Sequence, residues 1–135
     1  MNAKRVEHRM WEAALMFNGA IWKRDFELPV VFDCFNGEAV LPEQQEAYQV
    51  FCNSKEAIKH SISDVKQYCI TQNKSKIEED SIENVFKYVV PEKVYVTRDC
   101  RVAIMCRYKF DLEHGIAVVF KNGQFEQIGA QDIVL

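Results

Sequence analysis

Two acidic residues and one histidine form the densest polar group near the C-terminal hairpin of the sequence. Asp111, Glu113 and His114 stand within four residues of one another and precede Gly115. Carboxylates beside an imidazole can bind a metal ion or act as an acid–base pair. Asp132 lies close to the end of the chain and could join them if the fold brings the two stretches together. The functional interpretation is a small metal-dependent or hydrolytic site.

The same residues also have a structural interpretation, which we favour. Aspartate commonly accepts a hydrogen bond from the backbone that follows it in a turn, and glycine supplies positive φ. A calcium loop would need several more oxygen ligands at alternate positions. Asp132 is typical of a side chain that ties down backbone amides near a C-terminus. We therefore expect a structural turn over 111–115 with no catalytic residue, no metal and no cofactor, and the reactive site stays open as an alternative.

Other reactive groups are not spaced as sites. The three histidines form no ligand pair, and no phosphate-binding glycine loop, nucleophile elbow or zinc-protease motif occurs. The five cysteines include no Cys-x-x-Cys pair, which favours small apolar side chains in a reducing compartment. No run approaches the roughly 18 apolar residues of a membrane span, and the first residues lack the apolar core of a secretory signal. We expect a cytoplasmic protein with no membrane partner.

Length and composition indicate one globular domain over residues 1–135. Hydrophobic residues make up 48% and charged residues 27%, which excludes a disordered or fibrous chain. The net charge of −3 arises in residues 41–92, which hold six basic and nine acidic side chains. Because long polyanions bind basic surfaces, and because no basic residues interleave with the aromatic ones, we expect no nucleic-acid partner.

The hydrophobic periodicity changes twice along the chain. Asn-Gly pairs at 18–19 and 122–123 are flanked by apolar runs and predict hairpin turns. Helical spacing begins at Pro42 and again after Ser54, and a short third helix is expected over 80–89. Alternation returns from Val94, with a long half-buried strand over 102–110. Strands, helices and then strands predict an α+β fold: one antiparallel sheet of N-terminal and C-terminal strands, with two to three helices inserted at about 42–90.

The C-terminal third also resembles the close of a known family. The residues that carry the resemblance are Asp111-x-Glu113-His114-Gly115, Asn122-Gly123 and Gly129-x-Gln131-Asp132-Ile133. They are similar to a signature in a bacterial family of small uncharacterised domains, catalogued as domains of unknown function. Leu112 stands where proline is frequent in that family, which matters little for a turn. The resemblance implies an α+β fold and no established catalysis.

The resemblance further implies an association with bacterial toxins. Related small domains are often encoded beside polymorphic or contact-dependent toxins and look like their immunity proteins. The leading hypothesis is thus a non-enzymatic protein that occludes the active site of a cognate toxin, such as a basic nuclease domain. Its alternatives are the hydrolytic site above and a general protein-interaction module. For the contact face we predict the acidic side chains Glu43, Glu46, Glu78, Glu79, Asp80 and Glu83.

Overall fold

The computed structural model describes residues 15–35, 37–73, 75–77 and 82–135. Its described elements are six strands, two α-helices and two short 3-10 helices. In chain order they are β1 (Met16–Ile21), β2 (Arg24–Phe32), α1 (Pro42–Asn53), α2 (Lys55–Gln72), a 3-10 helix (Val85–Lys87), β3 (Val89–Val96), β4 (Val102–Tyr108), β5 (Ile116–Lys121), β6 (Gln124–Gly129) and a 3-10 helix (Gln131–Ile133).

The six strands form a single sheet in the order β1-β2-β3-β4-β5-β6. The α+β class is confirmed, as is the insertion of helices between N-terminal and C-terminal strands. The expectation of a purely antiparallel sheet is wrong, because β2 and β3 pair in parallel. The chain leaves the end of β2, passes through both helices and enters β3 at the end where β2 began. A crossover of this kind joins parallel neighbours.

The first hairpin turn lies at Trp22 and Lys23, whereas the sequence predicted it at 18–19. Both residues have positive φ, 54° and 72°, as a two-residue type I′ turn requires. The left-handed conformation costs roughly 1–2 kcal/mol for a residue with a side chain. Burial of the Trp22 indole, whose Nε1 donates to Ser61 Oγ at 3.0 Å, offsets that cost. The hairpin predicted at Asn122 and Gly123 is confirmed, with φ of 53° and 76°.

Both long helices begin near their predicted positions. Ser54 separates them, but its hydroxyl donates to the carbonyl of Val50 at 2.6 Å and does not cap α2. The expected third helix is wrong over its described part: residues 82–84 are irregular, and one 3-10 turn, Val85–Lys87, leads into β3. Residues 78–81 lie outside the described part of the chain.

Gln44 fastens the start of α1 to the ends of two strands. Its side chain is fully buried, and its Oε1 accepts from the backbone N–H of Leu41 at 3.0 Å. Its Nε2 donates to the carbonyls of Asp33 at 2.9 Å and Thr97 at 3.2 Å. Because buried polar groups are costly without partners, one amide fixes where the helix meets β2 and β3.

The sheet is buried on both faces in its centre. Ile104, Cys106 and Val118 face the helices, while Ala103 and Met105 are equally inaccessible on the opposite face. The strand that the sequence predicted as half-buried is therefore covered on both sides over 102–106. Within the described residues, no helix is long and apolar enough to cross a membrane.

Candidate protein-binding surface

The Asp111–Gly115 stretch is a turn closed by its own side chains. Asp111 Oδ1 accepts from the backbone N–H of His114 at 3.2 Å, and both carboxylate oxygens lie 3.1 Å from His114 Nδ1. The Gly115 N–H donates to the Asp111 carbonyl at 2.9 Å, with Gly115 at a φ of 61°. Glu113 is exposed. These contacts agree with the structural interpretation of 111–115.

The two polar stretches do converge: Gln131 makes the hydrogen bonds between them, and the charge of Asp132 also acts on His114. Gln131 Nε2 donates to the carbonyl of Cys106 at 3.1 Å, and the Gln131 N–H donates to the carbonyl of His114 at 3.2 Å. A Cβ added to Gly115 would lie 2.5 Å from Gln131 Nε2. The Gly115 and Gln131 positions of the signature thus form a tether that pins the C-terminal segment to the sheet.

The contacts within this turn shift the pKa values of Asp111 and His114 in opposite directions. Hydrogen bonds from the backbone and side chain of His114 lower the pKa of Asp111. The hydrogen bond to Asp111 raises the pKa of His114, and the charges of Glu113 and Asp132 add to the effect. In the part of the chain that the structure describes, no three His, Cys, Asp or Glu side chains are grouped to hold a metal ion.

The described cysteines form no disulfide bond. Burial raises the pKa of Cys52, and it raises the pKa of Cys69 to about 11. Cys106 is fully buried, and its pKa is raised well above the ordinary value by the same cause. Because the thiolate is the reactive form, these side chains serve as packing groups.

The predicted acidic contact residues lie in separate places. Glu43 and Glu46 are exposed on the first turns of α1, close to the end of β2 that Gln44 holds. Glu83 is exposed near Phe86, which packs on Trp22 and Phe26 at the opposite end of β2. Glu78, Glu79 and Asp80 lie outside the described residues.

An exposed aromatic side chain lies at the same end of the sheet as Glu43 and Glu46. Phe35 follows β2 and is 56% exposed. The guanidinium of Arg98, in the turn between β3 and β4, lies 3.5 Å from the centroid of its ring. Arg98 Nη1 also donates to Glu38 Oε1 at 2.9 Å. The contacts hold both a ring and a cation in place at the surface.

The charges at this end of the sheet are mainly acidic around Cys100. Burial is the largest cause that raises the pKa of the Cys100 thiol, and the charges of Glu43, Asp99 and Glu46 raise it further, against the opposite effect of Lys121. Glu43 and Glu46 form no ion pair with a described residue. We call this region the Phe35 surface; it consists of Phe35, Glu38, Glu43, Glu46, Arg98 and Asp99.

Asp99 is held in place within the Phe35 surface. Burial raises its pKa, but hydrogen bonds from Thr97 and Arg101 outweigh that effect and keep the pKa below its ordinary value. Arg101 Nε donates to Asp99 Oδ2 at 3.1 Å. The carboxylate is therefore charged at neutral pH and fixed in direction.

Nothing in the spacing of the residues indicates that Phe35 contacts Arg98. Apolar residues recur over 28–35 and predict a strand that includes Phe35, whereas β2 ends at Phe32. The nearby Gly37, with a φ of 84°, marks a turn and was the available signal that the strand stops early.

The comparisons with known proteins give a family and no activity. A model of the family described as Domain of unknown function (DUF6985) matches residues 3–135. No curated protein and no solved structure matches the chain significantly. Since the match spans nearly the whole sequence, the chain belongs to the DUF6985 family.

Proposed function

We propose that this protein is a non-enzymatic binding protein, and that the Phe35 surface is where it contacts a basic protein partner. The observation that carries the proposal is the exposed Phe35 ring under the Arg98 guanidinium, at the end of the sheet where Glu43 and Glu46 also lie. Aromatic and arginine side chains dominate binding energy in protein interfaces. Acidic residues around such an anchor accelerate association with a basic partner.

The cellular role that we infer is immunity to a bacterial toxin, in the cytoplasm where the toxin would act. In this role the protein covers the active site or substrate surface of a toxin domain, and it needs no reactive group of its own. A basic nuclease domain fits the charge of the Phe35 surface, because such a domain presents cations to a phosphate backbone. The proposed immunity role is supported by the resemblance of the C-terminal signature to the family described under the sequence analysis.

Affinity capture with matched variants tests the proposal. We expect the wild-type chain to retain one stoichiometric protein partner from its native cells, identified by mass spectrometry. Phe35→Ala combined with Glu43→Lys should lose that partner. Leu112→Ala, which removes an apolar side chain that is 71% exposed elsewhere, should retain it. Retention by the Phe35 surface variant would contradict the proposal.

Identification of the partner separates the two levels of the proposal. A captured toxin domain whose activity falls on addition of the wild-type chain would support immunity. A captured basic protein that has no toxic activity would support only the more general binding function. Neither result depends on the hydrolytic alternative, which metal analysis of untagged protein addresses separately.

A further inference from the structure

A groove runs along the edge strand β1 and lies outside the Phe35 surface. It encloses about 780 Å³, a volume within the range of ligand-binding clefts. One wall is the strand itself over 15–20, and the other is formed by α1 and the first turns of α2. Its apolar wall residues include Phe17, Trp22, Tyr48 and Ile58.

The backbone of β1 offers hydrogen-bonding groups along this groove. Its pairing with β2 is antiparallel, and the Val30 N–H donates to the Leu15 carbonyl at 3.1 Å. Hydrogen-bonded positions alternate along such a ladder. The N–H and C=O groups of Met16, Asn18 and Ala20 therefore point away from β2. Among the described strands β1 has β2 as its one neighbour.

The charge at the rim of the groove is opposite to that of the whole chain. Lys23, Lys55 and Lys59 stand around it, against the single carboxylate of Glu56. Glu56 is itself 3.7 Å from His60. A chain with a net charge of −3 thus presents a locally basic groove beside a strand edge. This basic rim favours an acidic occupant.

We propose that the groove binds an extended acidic segment of a partner protein, which adds to the sheet as a strand beside β1. Strand addition derives affinity from backbone hydrogen bonds and specificity from alternate side chains. Every second side chain of the added strand lies over the groove. An apolar side chain packs near Phe17 and Ile58, and an acidic one two residues along meets Lys55 and Lys59. This inference does not rest on the proposed function, because the groove lies outside the Phe35 surface and its rim carries the opposite charge.

Amide hydrogen exchange on the full chain tests the geometry. The probe is a short synthetic peptide that repeats the sequence Thr-Val-Thr-Glu. In an extended strand its valine and glutamate side chains lie on the same face, two residues apart. The backbone amides of Asn18 and Ala20 should exchange rapidly in the free protein and slow at least about tenfold at saturation, as new strand hydrogen bonds form. Slow exchange of both amides in the free protein would overturn the proposal, because the edge would already be paired. No slowing with the peptide would overturn it as well.

Charge variants test the acidic specificity. Lys55→Glu combined with Lys59→Glu should weaken peptide binding about tenfold or more, from two reversed charge contacts. Lys66→Glu is the matched control, since it lies about 10 Å further along the same helix and outside the groove. Equal affinity for a peptide in which lysine replaces glutamate, or equal weakening by Lys66→Glu, would overturn the proposal.

A proline variant provides a second test that leaves the β1–β2 ladder intact. Ala20→Pro removes an N–H that points away from β2, and edge strands tolerate proline at such positions. We expect about a three- to tenfold loss of peptide affinity, as for one backbone hydrogen bond. A circular dichroism spectrum and a Tm close to wild type would show that the variant folds. Unchanged peptide affinity in that folded variant would contradict strand addition.

Discussion

Arg98 lies over the exposed ring of Phe35, with its guanidinium carbon 3.5 Å from the ring centroid. The same guanidinium is held from the side by Glu38 at 2.9 Å. A long side chain with two fixed partners has already lost part of its rotamer freedom. It therefore costs less conformational entropy when a partner protein docks on it. The Phe35 surface is in this sense prepared for binding before any partner arrives.

The buried amide of Gln44 is expected to be the most sensitive polar side chain of α1. Gln44→Leu keeps the volume but leaves the Leu41 N–H and the carbonyls of Asp33 and Thr97 without this partner. We expect a loss of about 2–4 kcal/mol in the free energy of unfolding. Urea denaturation measures it. Gln45→Leu, at the next and exposed position, should change stability by less than about 0.5 kcal/mol.

Gly115 is expected to tolerate no side chain. A Cβ at this positive-φ position would lie 2.5 Å from Gln131 Nε2 and 2.6 Å from the Cys106 carbonyl. Gly115→Ala should therefore lower the unfolding free energy by about 2–4 kcal/mol, from backbone strain and displacement of the tether. A Cβ at Gly129 would lie 3.3 Å from the Cδ1 and Cγ2 methyl groups of Ile133 and would meet no backbone atom that closely, so Gly129→Ala should cost clearly less. A thermal melt that ranks the two variants in the reverse order would refute this account of the signature glycine.

The Asp111–His114 pair should make the turn most stable between the two folded-state pKa values. The raised pKa of His114 gives a stabilisation that is present at low pH and is lost as pH rises through that pKa. The lowered pKa of Asp111 gives a second stabilisation, which is present at neutral pH and is lost as pH falls through the folded-state pKa of Asp111.

Proton NMR titration of the His114 ring measures this effect. Its midpoint should lie above the ordinary value of about 6.5 and should fall in Asp111→Asn. An unchanged midpoint in that variant would show that the contact seen here does not persist in solution. Stoichiometric metal in untagged protein that is lost in His114→Ala would instead favour a metal-dependent site.

The rate at which Cys100 is alkylated reports the electrostatic effect of the acidic residues of the Phe35 surface. Since Glu43 and Glu46 raise the pKa of this thiol, Glu43→Gln combined with Glu46→Gln should speed its reaction with iodoacetamide about two- to threefold. Peptide mass spectrometry follows the rate. Cys52, whose pKa is raised mainly by burial, is an internal control and should react at an unchanged rate.

Local signals predicted those parts of the fold that are decided locally. The turn at Asn122 and Gly123 forms as expected, because the two residues that need positive φ are adjacent and suited to it. The turn at Trp22 depends instead on a hydrogen bond to Ser61, 39 positions away. The parallel pairing of β2 and β3 likewise depends on where the helices return the chain. The hydrophobic periodicity of a single segment does not show which distant residue it contacts or which strand it pairs with.

The candidate sites likewise combine features that nearby residues predict with features that depend on residues far apart in the sequence. The turn closed by Asp111 was predictable from residue types, whereas its tether to Gln131 was not. The Phe35 surface joins Arg98 to Glu38 across 60 positions, so the sequence could suggest acidic contact residues but not their aromatic anchor. Side-chain proximity at such separations follows from the topology of the sheet.

The central claim is that the Phe35 surface binds a basic protein, and association kinetics with the captured partner test it most directly. Glu43→Lys combined with Glu46→Lys should slow association about tenfold at low salt and flatten its dependence on ionic strength. Phe35→Ala should mainly speed dissociation, because it removes an anchor and not a charge. Wild-type kinetics in both variants would contradict the account.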